Sequence, residues 1–212
     1  MPPHSGPTPL DSGGQRINAG SGRTRLARGP SHKLQLLFTR EDAGGDVRGD
    51  EHARLLGQAV HRALEVLTVR PVATRSDALV QQAVAAALRS VGLAAVHQDE
   101  AEQRTRDVLF QPALQPWLDP DRLLWADNEV ALSHEGQTLR LDRLVARQTP
   151  AGREWWVIDY KLSLQPDALL SYRQQLGRYV EAVKRLQPGE PVHAAFISGD
   201  GAWLPLEGAT PA

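Results

Sequence analysis

After Asp121 the spacing of apolar residues changes from the helical repeat to strand alternation, and after Pro166 it changes back. A side chain recurs on one face every 3.6 residues in a helix and every second residue in a strand, so this switch fixes the order of elements. Upstream, Leu55, Leu56, Ala59, Val60, Ala63, Leu64 and Leu67 recur at helical spacing, predicting a helix over 51–69 that ends before Pro71. A second helix is expected up to residue 91, with Ser76 as N-cap and Gly92 just past its end. A third runs over 96–110, and Pro112, Pro116 and Pro120 then mark an irregular passage around Trp117.

The alternating block reads as three strands, 123–133, 138–147 and 154–162, joined by turns at 134–137 and 149–152. Pro166-Asp167 opens a helix to about residue 186, and two short strands follow at 192–198 and 202–206. A helical block, an antiparallel meander, a crossover helix and returning strands make an α/β protein around one mixed sheet. Residues 1–49 read as a disordered or linker-like segment, rich in Pro, Gly, Ser and Arg at its start, with a short strand or buried turn at 34–38. The ordered domain is expected over 50–207.

The chain has 212 residues, 41% hydrophobic, which suffices for one well-buried domain. It contains no cysteine, which excludes disulfides, zinc–thiolate sites, cysteine-held iron–sulfur clusters and cysteine nucleophiles. No apolar run is long enough to span a bilayer, so a soluble, cytoplasmic protein with no membrane partner is expected. The net charge of -1 argues against a polycationic nucleic-acid coat but leaves room for a local field from bound metal and arginines. Lysine is confined to Lys33, Lys161 and Lys184 in a chain that otherwise uses arginine. A lysine amine, unlike a guanidinium, can serve as an adjustable proton donor or water partner.

Strand periodicity puts Asp159 and Lys161 on one face and Ile158 and Tyr160 on the other, with Trp155 to Ile158 leading in as a buried central strand. Asp142 sits mid-strand between Leu141 and Leu144, a costly place for a carboxylate without a partner or a metal. Neighbouring antiparallel strands can bring Asp142 beside Asp159, and two such acids repel unless a cation lies between them. The suited ion is hard and oxygen-liking, Mg²⁺ or Mn²⁺. His61 and Glu65, four apart, share a helix face. The plainer reading pairs Asp142 with Arg143 or Arg140 and leaves His61 as a boundary residue.

Five segments in order carry a family resemblance. They are Gly57-x-x-x-His61-x-x-x-Glu65, Glu129, Leu141-Asp142-Arg143-Leu144-Val145, Val157-Ile158-Asp159-Tyr160-Lys161 and Tyr172-x-x-Gln175-Leu176-x-x-Tyr179. Together they resemble the C-terminal nuclease domain of RecB and AddA, a branch of the PD-(D/E)XK nuclease superfamily. The resemblance implies a restriction-endonuclease-like mixed β-sheet core flanked by helices, with an N-terminal helical block. It implies a Mg²⁺-dependent DNA nuclease, exonucleolytic, working in double-strand-break repair and recombination. His61, Asp142 and Asp159 would be metal ligands, joined by the Tyr160 carbonyl, and Lys161 would position the attacking water. Gln175 and Tyr179 would support the site or contact DNA, and Glu129 and Glu65 would orient neighbours. Arg140 stands where such domains often carry glycine.

The chain has no Gly-x-x-x-x-Gly-Lys-Ser/Thr phosphate loop and hence no ATP site of that kind. A UvrD-like helicase motor, or a helicase–nuclease complex, is therefore the partner the resemblance implies. A catalytically idle DNA-binding or scaffolding module docked on such a motor, and a truncated gene product, are the other readings.

Overall fold

The computed structural model describes residues 47–163 and 165–206. Of the segment read as linker-like over 1–49, residues 1–46, with the short element at 34–38, lie outside these residues, and residues 47–49 belong to the first helix. Helix α1 (Val47–Leu67) begins ahead of the expected span and ends short of Pro71. Its end is set locally. The Thr68 amide and hydroxyl both bond the Leu64 carbonyl, and the Arg70 amide turns back to Leu67. Helix α2 (Asp77–Val91) starts as expected, with the Ser76 hydroxyl accepting from the Leu79 amide, and it ends on Gly92 at φ 77°.

The expected third helix divides into a 3-10 turn (Ala95–His97) and α3 (Gln98–Leu109). The proline-rich passage holds one helical turn, α4 (Gln115–Leu118), between 3-10 turns.

Strands β1 (Trp125–His134), β2 (Gln137–Thr149) and β3 (Gly152–Tyr160) form the meander. Helix α5 (Leu170–Leu186), preceded by a 3-10 turn at Pro166–Ala168, crosses over to β4 (Val192–Ile197) and β5 (Trp203–Pro205). The sheet order is β1-β2-β3-β4-β5, with β3 central and β3–β4 the one parallel pair among the described strands. Strand alternation decides which cluster each residue joins. Val145, Ile158 and Ile197 face α1, α2, α3 and α4, while Leu144, Val157 and Phe196 face Leu176, Val180 and Val183 of α5. The sheet is thus covered on both faces, which suits the near-continuous apolar run of β3. No helix among the described residues is long and apolar enough to cross a membrane.

Candidate active site

Register places three acids in a row across three strands. Arg143 lies opposite Ile158, so the next step along β2 and β3 sets Asp142 against Asp159. On the other side, Asn128 pairs with Arg143 and Val130 with Leu141, which sets Glu129 across from Asp142. Glu129 has φ 53°, a left-handed conformation rare for a residue with a side chain. Such a backbone costs on the order of 1–3 kcal/mol, and it clusters at functional sites. The Tyr160 amide donates to Asp142 Oδ2 at 3.0 Å, fixing that carboxylate at the strand end.

Helix α1 brings His61 to the same place. Its Nε2 lies 3.5 Å from Glu129 Oε1, 3.6 Å from Glu65 Oε1 and 3.8 Å from Asp142 Oδ1. These spans are at or beyond the limit of a hydrogen bond, and Nε2 is buried without a hydrogen-bond partner among the described residues. The donor atoms of His61, Glu129 and Asp142 all fall within 4.8 Å of one another. An orphaned buried nitrogen ringed by carboxylates fits a cation held between them. Gly57, one turn earlier on α1, permits the close approach, since a Cβ there would stand 3.0 Å from Leu162 Cδ1.

Lys161 closes the other side. Its Nζ lies 2.7 Å from Asp159 Oδ2 and 4.8 Å from the centre of the Tyr172 ring. On α5, Gln175 Nε2 donates to Tyr179 Oη at 2.7 Å. Gly199 holds the chain just past Lys161, because a Cβ on it would meet the Leu162 carbonyl oxygen at 2.5 Å.

Charge is unbalanced here: four carboxylates face one imidazole, one ammonium and, on Glu129, the Arg140 guanidinium. Burial, then the neighbouring Asp142, pushes the Asp159 carboxyl up to about 7, against the pull of Lys161 and His61. Burial also raises Glu65. For His61, burial works downward, but Asp142, Glu65, Glu129 and Asp159 together outweigh it and raise the imidazole. Lys161 behaves alike, with burial overcome by Asp159 and Asp142. Burial raises the Tyr179 phenol, with a smaller push from Asp159 and Asp142. The raised His61 and Lys161 report a local excess of carboxylate strong enough to outweigh burial, and a divalent ion would relieve it.

His61, Glu65, Glu129, Asp142, Asp159 and Lys161 therefore converge. Tyr179 is buried among α5 side chains, while Gln175 is exposed. Asp142 pairs with neither arginine. Arg140 Nη1 meets Glu129 Oε2 at 3.1 Å, and Arg143 points to the opposite face of the sheet. There, fully buried, Arg143 donates to the Trp117 carbonyl (3.1 Å), Thr68 Oγ1 (3.1 Å) and Asn128 Oδ1 (2.7 Å). Asn128 in turn donates to the Glu65 carbonyl at 2.9 Å, so this network ties α1 to the sheet behind His61. Sequence reasoning missed this support. Its only trace was an arginine at a position that alternation assigns to the core. It also missed the Tyr172 ring beneath Lys161.

Among curated proteins none matches the chain. The family model of the PD-(D/E)XK nuclease superfamily matches residues 31–203.

Proposed function

Because the chain belongs to the PD-(D/E)XK nuclease superfamily, we propose that it is a Mg²⁺-dependent DNA exonuclease. We place it with the helicase–nucleases of RecB and AddA type that act in double-strand-break repair and recombination. The observation that carries this reading is the buried His61 Nε2, without a hydrogen-bond partner among Glu129, Glu65 and Asp142, beside the Asp159–Lys161 pair.

His61, Asp142 and Asp159 would hold the ion, with the Tyr160 carbonyl and Glu129 within the same cluster. When bound, a divalent ion polarises a phosphodiester and lowers the pKa of water. The protein's own contribution is placement. Asp159 holds the Lys161 ammonium at 2.7 Å, and the Tyr172 ring limits the directions in which the amine can swing. From there Nζ donates a hydrogen bond to the attacking water or to a phosphate oxygen as charge develops on it. The Tyr160 amide keeps Asp142 turned toward His61. Gln175, exposed on α5 and hydrogen-bonded to the buried Tyr179, would contact the DNA strand while Tyr179 supports it from behind. A UvrD-like motor supplies unwound DNA in this reading.

The test is cleavage of end-labelled linear DNA, single- and double-stranded, in Mg²⁺ or Mn²⁺ and in chelator, with Lys161→Ala alongside. Metal-dependent cleavage lost by the variant is expected, and blocking the ends should abolish it. No cleavage by the folded protein, alone or with a motor, would overturn the reading.

A further inference from the structure

We propose that His52, His97 and Glu100 form a second metal site, separate from the one around Asp142, that takes a transition ion such as Zn²⁺ rather than Mg²⁺. The three residues come from three segments: α1, the end of the 3-10 turn Ala95–His97, and the first turn of α3. Their donor atoms all lie within 4.8 Å of one another. The two imidazole rings stand 4.3 Å apart and tilted by 52°. His52 Nε2 and Glu100 Oε2 are 3.6 Å apart, too far for a hydrogen bond. Adjacent donors around a tetrahedral zinc are about 3.4 Å apart, so a small closure of side chains suffices.

Arg104 Nη2 donates to the other oxygen of Glu100 at 3.1 Å, which orients the carboxylate and leaves Oε2 turned toward His52. Glu100 is itself exposed, so the cluster is open to solvent on that side.

Two imidazoles and one carboxylate are richer in nitrogen than the single imidazole and carboxylates around Asp142, and suit Zn²⁺, Cu²⁺ or Ni²⁺ better than Mg²⁺. The two sites cannot share an ion. His52 and His61 are nine residues apart on α1, close to half a turn out of phase. An ion at the second site would pin the start of α1 to α3, on the same helix that carries His61.

The test uses the untagged full chain, stripped with chelator and dialysed against Zn²⁺, with bound metal measured by mass spectrometry. His61→Ala/Asp142→Ala removes the first cluster. That double variant should still bind one Zn²⁺ and gain thermal stability from Zn²⁺ but not from Mg²⁺. Adding His97→Ala should weaken this binding by at least roughly tenfold, as removal of a ligand does. Co²⁺ should give visible absorption bands in the double variant and lose them in the triple. Where His97→Ala disturbs folding, Glu100→Gln in the same background gives the decisive comparison. Zn²⁺ affinity unchanged by these additions, or no uptake by the folded double variant, would overturn the proposal.

Discussion

Asp142 and Arg143 are neighbours on β2, yet the fold treats them in opposite ways. Arg143 is a fully buried cation. Among the described residues no carboxylate pairs with it, and its charge is met by the Trp117 carbonyl, Asn128 and Thr68. Burial lowers its pKa, with Tyr160 and Asp127 acting against it, and the dispersed guanidinium donates its hydrogen bonds to neutral groups. One residue away, Asp142 stands in a cluster where carboxylates outnumber cations and His61 Nε2 has no hydrogen-bond partner. The network behind the sheet ties helix to strand, although Arg143 Nη2 itself has no hydrogen-bond partner among the described residues. The cluster in front holds an excess of carboxylates, and the proposed function seats the ion and the phosphate there. The sign of the buried charge, more than burial itself, separates the two regions: a cation met by dipoles behind the sheet, an excess of carboxylates in front.

The contrast breaks most visibly with Asp142→Asn. The amide oxygen can still accept from the Tyr160 amide, so the loss is mainly charge. Cleavage should fall about a thousandfold, near 4 kcal/mol of barrier, with the melting temperature unchanged or higher. Near-normal cleavage would mean that the cluster is not the site.

Arg143→Met should do the reverse. It leaves Asn128 and the Trp117 carbonyl without their partner, so urea denaturation should show a loss of about 3 kcal/mol. Residual cleavage by the folded fraction should stay within tenfold of the parent. A stable but inactive Arg143→Met would place the arginine in the chemistry instead.

A third comparison uses pH in chelator. The Asp159 carboxyl is raised in the folded state to about 7, above its ordinary value of 3.8. The protonated form is therefore the one folding favours. The stability it contributes is complete below about pH 4 and is lost as the pH rises toward 7. Asp159→Asn cannot titrate, so the variant should gain on the parent across that window, by several degrees in melting temperature. Equal slopes for the two proteins would refute it.

The smallest effect belongs to Tyr179→Phe. It removes the acceptor of Gln175, and a loss of about 1 kcal/mol in stability with a few-fold drop in cleavage is expected.

Much of this was legible in the chain. The antiparallel pairing expected of neighbouring strands could bring Asp142 beside Asp159, and helical spacing put His61 and Glu65 on one face. Periodicity carries both readings because each turns on which side a residue faces. The positive φ of Glu129 left no such trace, since nothing in its neighbours demands it. The partner of Arg140 was equally hidden, because long side chains choose among several acids by geometry that spacing does not encode. The 3-10 turns before α3 and α5 escaped for a different reason. They are short, and their prolines or small residues fit helix and turn alike.

The grip on Leu162 has a wider meaning. Gly57 comes from the first described helix and Gly199 from the turn after β4, and both press on the residue that follows Lys161. The lysine thus acquires its place only when the two ends of the described fold have met. Competence for cleavage becomes a property of the finished fold: a half-assembled chain would present its acids to DNA with the amine still adrift, and so could not cut.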